Sequence, residues 1–521
     1  MDRREFLATT TLAALAVTPP GMAASPRVSV LDGGVAEQQA LMRAGRLSAE
    51  QLARAYLARI ASIDRAGPRL NAVIELNPDA LASARALDRE RAAGTPRGPL
   101  HGCCVLLKDN IATGDRMRTS AGSLALAEVR AVRDATVAAR LRAAGAVILG
   151  KTNLSEWANM RGVRSSSGWS ARGGLTRNPY ALDRSCSGSS SGSAAAAAAA
   201  LATFTVGTET DGSIVSPASA CGVVGIKPTV GLVSRHGIIP ISHSQDTAGP
   251  MARSVADAAY LLGALAGADG GDAATALARP ADYVAALDKD GLRGKRLGVA
   301  RNFFGRNPKT DAVITRALAV LVAQGAELID VQLPNTDKYG AAEYQVLLYE
   351  FKPGLAAWLS DFAPQAALRN MADVIAFNAR ERARELRYFG QEHLERAQAK
   401  GPLDTAEYVD ALATCRRYAR AEGIDQVLQE HRLDALVAPT SGPVWLADLV
   451  NGDSSGGSFS SPAAVAGYPH ITVPSGYVHG LPVGLSFVGT AWSEAALIRL
   501  AYSFEQASAS RVAPAFRPTA V

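Results

Sequence analysis

Along most of the chain, short, largely apolar runs alternate with stretches whose apolar positions recur at helical spacing. The apolar runs at residues 103–107, 146–149, 204–206, 296–300, 327–331 and 433–438 are too short for helices and read as buried strands. Residues 35–94 read as helical. Ser48 caps a helix there, Gln51 stands where it completes a capping box, and Leu52, Tyr56, Leu57 and Ile60 form the apolar stripe. Residues 80–93 give a second amphipathic helix, stopped at Gly94, and residues 136–144 a third. A more charged, mostly helical segment over about 355–430 reads as an insertion lying over the sheet. The core pattern returns over about 433–510, with strands at 471–474 and 483–488 and a closing helix at 495–506. Short strands alternating with helices predict an α/β sandwich.

The first residues stand outside this pattern. Arg3 and Arg4 precede Glu5-Phe6-Leu7, an apolar run follows to Val17, and small residues stand at Ala23 and Ala24. That is a charged start, an apolar segment too short to span a bilayer, and a small-residue cleavage site. It predicts a twin-arginine-type export signal over 1–24, a single domain over 25–521, and a periplasmic or secreted protein. No other segment has the length and freedom from charge of a membrane span, so no stable membrane association is expected.

Composition narrows the picture. Of 521 residues, 48% are hydrophobic and 20% charged, enough to bury a sizeable core. The net charge of +6 is thin over this length and no run of consecutive Lys/Arg concentrates it, which argues against nucleic-acid binding. Five cysteines, an odd number without Cys-x-x-Cys or Cys/His ligand spacing, predict neither a disulfide framework nor structural zinc. The seven histidines are scattered, with no His-Glu-x-x-His, and no cofactor or metal is expected.

One stretch resists a packing explanation. From Cys186 to Thr229 a Gly/Ser turn, an alanine run and a second Gly/Ser turn follow one another. Glycine and serine lose more on ordering than their burial returns, so such turns point to N–H groups and hydroxyls gathered around a ligand. Two short motifs compete for this chemistry. Residues 145–152 match the phosphate-loop pattern, but Val147, Ile148 and Leu149 at the centre favour a strand over a phosphate cradle. Residues 188–192 match Gly-x-Ser-x-Gly, which would make Ser190 a nucleophile with His431, His470 or His479 as partner, yet no apolar strand precedes it. Ser-x-x-Lys occurs nowhere.

Set side by side, Lys108-Asp109-Asn110, Ser189 in its Gly/Ser turn, Ser213 in residues 207–213 and the closing Cys221–Thr229 piece resemble the amidase signature family. The spacing of 24 residues between Ser189 and Ser213 matches, as do Gly150–Asn153 with Glu156 and the tail pieces at 473–476 and 480–485. The resemblance implies an α/β/α sandwich, a large mixed, mostly parallel β-sheet with helices on both faces, and a signature core over about 100–260. Within the family, residues 167–174, 208–213, 231–250 and 489–494 resemble the peptide amidases, which remove ammonia from a peptide's C-terminal carboxamide.

The same resemblance implies residue roles. Ser213 is expected as nucleophile, Ser189 as relay after a cis Gly188–Ser189 bond, and Lys108 as base. No histidine is near either turn, and lysine can serve only if burial keeps it neutral. The backbone N–H groups of Thr210, Asp211, Gly212 and Ser213 are expected to form the oxyanion hole. Many relatives have glycine where Asp211 stands, so a carboxyl enters the pocket region here. Relatives acting on small acidic or glutamyl substrates often carry arginine two or three residues past the nucleophile. Val215 and Ser216 occupy those positions, which favours a neutral amide end. The expected partner is a small-molecule or peptide amide, and the expected state a monomer or homodimer. Two other activities stay open: an amidase for aryl or aliphatic amides, and an ammonia-transfer subunit of a transamidation complex, which an export signal disfavours.

Overall fold

A computed structural model describes residues 30–521, and the expected export signal lies outside the described residues. Thirteen strands occur there: β1 Val73–Leu76, β2 Cys104–Lys108, β3 Val147–Thr152, β4 Trp169–Ser170, β5 Gly174–Leu175, β6 Phe204–Glu209, β7 Val224–Lys227, β8 Thr247–Ala252, β9 Arg296–Ala300, β10 Glu327–Val331, β11 Ala435–Pro439, β12 His470–Val478 and β13 Leu481–Val488. Eleven of them form one sheet in the order β1-β3-β2-β6-β8-β7-β12-β13-β11-β9-β10, and β4 pairs with β5 apart from it. The layered α/β/α arrangement and the large mixed sheet agree with expectation. The balance of directions does not lean to parallel. Four of its ten pairings are parallel, β2 with β3 and β6, and β9 with β10 and β11; the other six, mostly through the centre, are antiparallel.

Alternation along a strand explains why the apolar runs are unbroken. In β2, Val105 and Leu107 belong to the core on one face, while Cys104 and Leu106 belong to the core on the other. Both faces are covered, so every position is buried. The helices Thr136–Ala143, Val255–Leu265 and Glu494–Ser508 cover the first face. The helices Ala49–Arg59, Ala80–Ala92 and Ser191–Ala198 cover the second. The Ser48 cap forms as expected: its hydroxyl accepts from the Gln51 N–H at 3.1 Å, and the Gln51 side chain accepts from the Ser48 N–H at 2.9 Å. The helical segment begins earlier than 355, with a helix over Gly340–Phe362, and runs on to Glu430. No helix among the described residues is long and apolar enough to cross a membrane.

The helix Ser191–Ala198 fixes the two Gly/Ser turns relative to the sheet. All eight of its residues are buried. A Cβ on Gly192 would stand 2.4 Å from the carbonyl oxygens of Ala72 and Asn153, so the helix touches backbone and no larger residue fits. Hydroxyls stitch it to the strands: Thr152 Oγ1 meets Ser193 Oγ at 2.7 Å, Ser193 Oγ donates to the Val206 carbonyl at 3.1 Å, and Thr205 Oγ1 donates to the Ser193 carbonyl at 2.9 Å. We expect Gly192→Val to destabilise the fold by about 1–3 kcal/mol, because backbone rather than a flexible side chain must yield. Chemical denaturation followed by circular dichroism measures this, and an unchanged midpoint would contradict the packing described.

Candidate active site

Lys108 is the last residue of β2, and alternation decides where it points. Leu107 faces the first core, so Lys108 faces the second, beneath the start of the helix Ser191–Ala198. Its Nζ lies 2.8 Å from Ser189 Oγ, 2.9 Å from Thr208 Oγ1 and 3.2 Å from the Thr208 carbonyl. The side chain is fully buried, and burial lowers its pKa to about 7 against the opposing charges of Asp246 and Glu209. No carboxylate touches it. A neutral amine has two N–H donors and one lone pair. The Thr208 carbonyl can only accept, and takes one N–H; with Thr208 Oγ1 taking the other, the lone pair is left to the Ser189 hydroxyl. This arrangement can pull a proton from Ser189.

Ser189 is tied on both sides. The Gly188–Ser189 peptide is cis, and the Ser189 carbonyl accepts from the Ser155 N–H at 3.0 Å. The next residue's N–H donates to the Ser213 carbonyl at 3.1 Å, which brings the two serine turns together. Ser213 itself is 7% exposed, at the edge of the interior. The turn that carries it, residues 210–213, is held from several directions. Glu209 Oε2 accepts from the N–H groups of Ile214 at 2.7 Å and Val215 at 3.0 Å. Thr210 Oγ1 donates to Asp246 at 2.5 Å, and Asp246 in turn accepts from the N–H groups of Ile241 and Ser242 at 2.8 and 2.9 Å. Gly212 has φ +75°, and a Cβ there would stand 2.8 Å from Ser460 Oγ, so glycine is required twice over. Among the described residues, none of the four N–H groups from Thr210 to Ser213 has a protein acceptor. They are free to hold a developing oxyanion.

Asp211 turns to one side of this array. Its Oδ2 accepts from Ser461 Oγ at 2.5 Å. Its Oδ1 is buried without a donor, and the Asp211 side chain neighbours Glu343, whose pKa burial and then Asp211 push well above the usual range. Gln245 Nε2 joins Glu343 Oε1 at 2.9 Å to the Thr210 carbonyl at 3.3 Å. Thr208, Asp246 and Glu343 were not singled out by sequence reasoning. Thr208 stands in β6, within the sequence stretch read as the second Gly/Ser turn, where its hydroxyl was a visible signal. Asp246 and Glu343 carry no local pattern and enter only through the fold.

The competing motifs have structural uses. Ser190 Oγ donates to the Thr208 carbonyl at 3.0 Å and accepts from the Thr208 N–H at 3.2 Å. None of the three candidate histidines bonds to it: His470 pairs with Ser486, its pKa lowered to about 3 by burial, and His479 pairs with Lys309. Residues 147–152 of the phosphate-loop match are β3 itself, and Lys151 Nζ donates to the Ile111 carbonyl at 2.6 Å and to Thr119 Oγ1 at 3.1 Å.

A family model described as Amidase matches residues 51–498. A probable amidase of Arabidopsis thaliana is 41% identical over 505 residues, covering 94% of this chain and 93% of the relative. The solved native peptide amidase of Stenotrophomonas maltophilia superposes with a TM-score of 0.88 at 55% identity, covering 94% of this chain and 99% of that one. A glutamyl-tRNA(Gln) amidotransferase subunit of Chloroflexus aurantiacus is 37% identical over 506 residues, covering 91% of this chain and 96% of the relative.

We expect Ser190→Ala to cost about 1–3 kcal/mol of stability, since a buried hydroxyl that both donates and accepts is lost. It should leave the Lys108–Ser189 contact in place. Denaturation midpoints alongside turnover measure both, and a loss of turnover as large as that of Ser189→Ala, with stability unchanged, would contradict this assignment.

Proposed function

The chain belongs to the amidase family, hydrolysing an amide C–N bond, and from that premise we propose that it removes ammonia from the C-terminal carboxamide of peptides through Lys108, Ser189 and Ser213. The observation that carries the catalytic part is the contact of a buried, depressed-pKa lysine with Ser189, beside a turn of four unpartnered N–H groups. Ser213 Oγ attacks the amide carbon while its proton passes to Ser189 and that of Ser189 to Lys108. The carbonyl oxygen, now an oxyanion, sits among the N–H groups of residues 210–213, each such donor contributing about 3–4 kcal/mol to the rate. The relay then returns the proton to the nitrogen, the C–N bond breaks and ammonia leaves. A water molecule attacks the acyl-serine by the same route in reverse, giving the acid and free Ser213.

The peptide part rests on two supports. The side chains against the turn are Ser216, Gln245, Asp246, Glu343, Ser460 and Ser461, hydroxyls, an amide and acids, and the cation that lines the cavity beside Thr210, Arg235, is held by Asp272. Such a lining suits a neutral amide end and its neighbouring main chain better than an acidic substrate. The likeness to a solved peptide amidase at 55% identity points the same way. One observation favours a second activity: the 37% identity to an amidotransferase subunit fits a chain that delivers ammonia within a complex. Arg3, Arg4 and the apolar run after them favour an exported enzyme instead.

The test is an ammonia assay with an N-blocked dipeptide amide, an anilide and an aliphatic amide at equal concentration. We expect the peptide amide to be preferred at least about tenfold in kcat/KM, and Ser213→Ala or Lys108→Ala to lower turnover at least about 1,000-fold with the fold intact. Preference for the anilide or the aliphatic amide would overturn the peptide assignment, persistence of turnover in Ser213→Ala would overturn the nucleophile, and co-purification with a partner chain would favour the amidotransferase role.

A further inference from the structure

Lys108 can take a proton from Ser189 only while Thr208 Oγ1 accepts one of its N–H groups. A hydroxyl also donates. Turned toward Nζ, the Thr208 hydrogen would occupy the lone pair, and Lys108 would donate to Ser189 instead of receiving from it. The contacts of Nζ, 2.9 Å to Thr208 Oγ1 and 2.8 Å to Ser189 Oγ, suit either arrangement. The other neighbours of Thr208 have to decide between them.

Asn110, two residues beyond Lys108, is one such neighbour. Its Nδ2 donates to Thr208 Oγ1 at 3.0 Å, which leaves that oxygen one lone pair and one hydrogen. A cavity of about 10 Å³ lies against both residues, with Thr210, Ile239 and Asp246 also in its wall. Asn110 is 3% exposed, and among the described residues no donor reaches its buried Oδ1. A buried amide oxygen is normally paired. The donors of the wall are spent elsewhere: Thr210 Oγ1 on Asp246, and Arg235 on Asp272 and the His243 carbonyl.

One water molecule answers both needs. The cavity has about the room that a single water requires, and its wall holds the polar partners a bound water needs. A water there donates one hydrogen to Asn110 Oδ1 and accepts the Thr208 hydrogen on its oxygen. Asp246 and Thr210 Oγ1 stand in the same wall as acceptors for its second hydrogen. An ammonium ion would not serve, because it has no lone pair to take the Thr208 hydrogen.

We propose that Asn110 and Thr208 bind a water molecule in this cavity, and that Asn110, through its amide and this water, is a positioning residue that keeps the Thr208 hydroxyl an acceptor toward Lys108. The lysine lone pair then faces Ser189. The inference rests on the relay through Lys108, Ser189 and Ser213 and not on which amide is taken.

The experiment uses the full chain, Asn110→Leu and the double variant Asn110→Leu/Thr208→Val, assayed by ammonia release at about pH 9 on one amide that the enzyme hydrolyses. Asn110→Leu removes the amide and leaves the Thr208 hydrogen free to turn to Nζ. Its kcat should fall at least about tenfold, with KM held within about threefold. Thr208→Val takes that hydrogen away, so the double variant should regain at least about threefold in kcat over Asn110→Leu. If Asn110 only supported the fold, the second change would add to the loss. A high-resolution crystal structure of the unmodified chain should show a water within hydrogen-bonding distance of both Asn110 Oδ1 and Thr208 Oγ1, and this is read whether or not Asn110→Leu folds. A cavity without that water, or a double variant no faster than Asn110→Leu, would overturn the inference. Turnover that persists in Lys108→Ala would overturn the relay itself, whereas an inactive Lys108→Ala with no rescue in the double variant removes only the role given to Asn110.

Discussion

A lysine ammonium in the interior, without a carboxylate in contact, is a state that water would not leave charged. Desolvation outweighs the attraction of Asp246 and Glu209, because neither acid reaches Nζ while the whole side chain is out of solvent. Everything else in the site follows from keeping Lys108 dry and neutral. It ends a strand buried on both faces, under a helix so small-residued that it lies against the sheet backbone. An acid at hydrogen-bonding distance would restore the ammonium and remove the lone pair on which the relay depends.

The surrounding polar groups hold the two serine turns in place. Asp246 and Glu209 spend their oxygens on backbone N–H groups and on Thr210, shaping the turn of Ser213. Ser190 and Ser193 pin the alanine helix to β6. Asp211 turns to one side, where its Oδ2 accepts from the Ser461 hydroxyl. Glu209 uses one oxygen on the N–H groups of the turn, while its Oε1 is buried without a donor.

Much of this was legible in the sequence, and unevenly so. Buried strands such as β2 and β6 are apolar runs because both faces are covered, and they were read at nearly their true positions. β8 was not, since Gly249 and Pro250 in its middle argue against a strand; the fold needs that glycine because a Cβ would stand 2.0 Å from the Ile226 carbonyl. β1 was read into a helical region, as its four residues carry too little pattern to break one. Strand direction was misjudged because a hairpin such as β12–β13 is legible but the partner of β7 is not. Lys108, Ser189 and Ser213 stood out by motif spacing. Glu343 could not, being 132 residues from Asp211 in sequence, with the pair made only by folding.

The central claim is that Lys108 acts as a neutral base through Ser189. Its most direct test is the pH dependence of kcat/KM for ammonia release by the unmodified enzyme, which reports ionisations of the free enzyme. The lysine must lose its proton to act, so the rate should fall about tenfold per pH unit below an inflection near 7 and level off above it. A profile flat from about pH 5 to 9, or an inflection near the ordinary lysine value of about 10.4, would contradict the account.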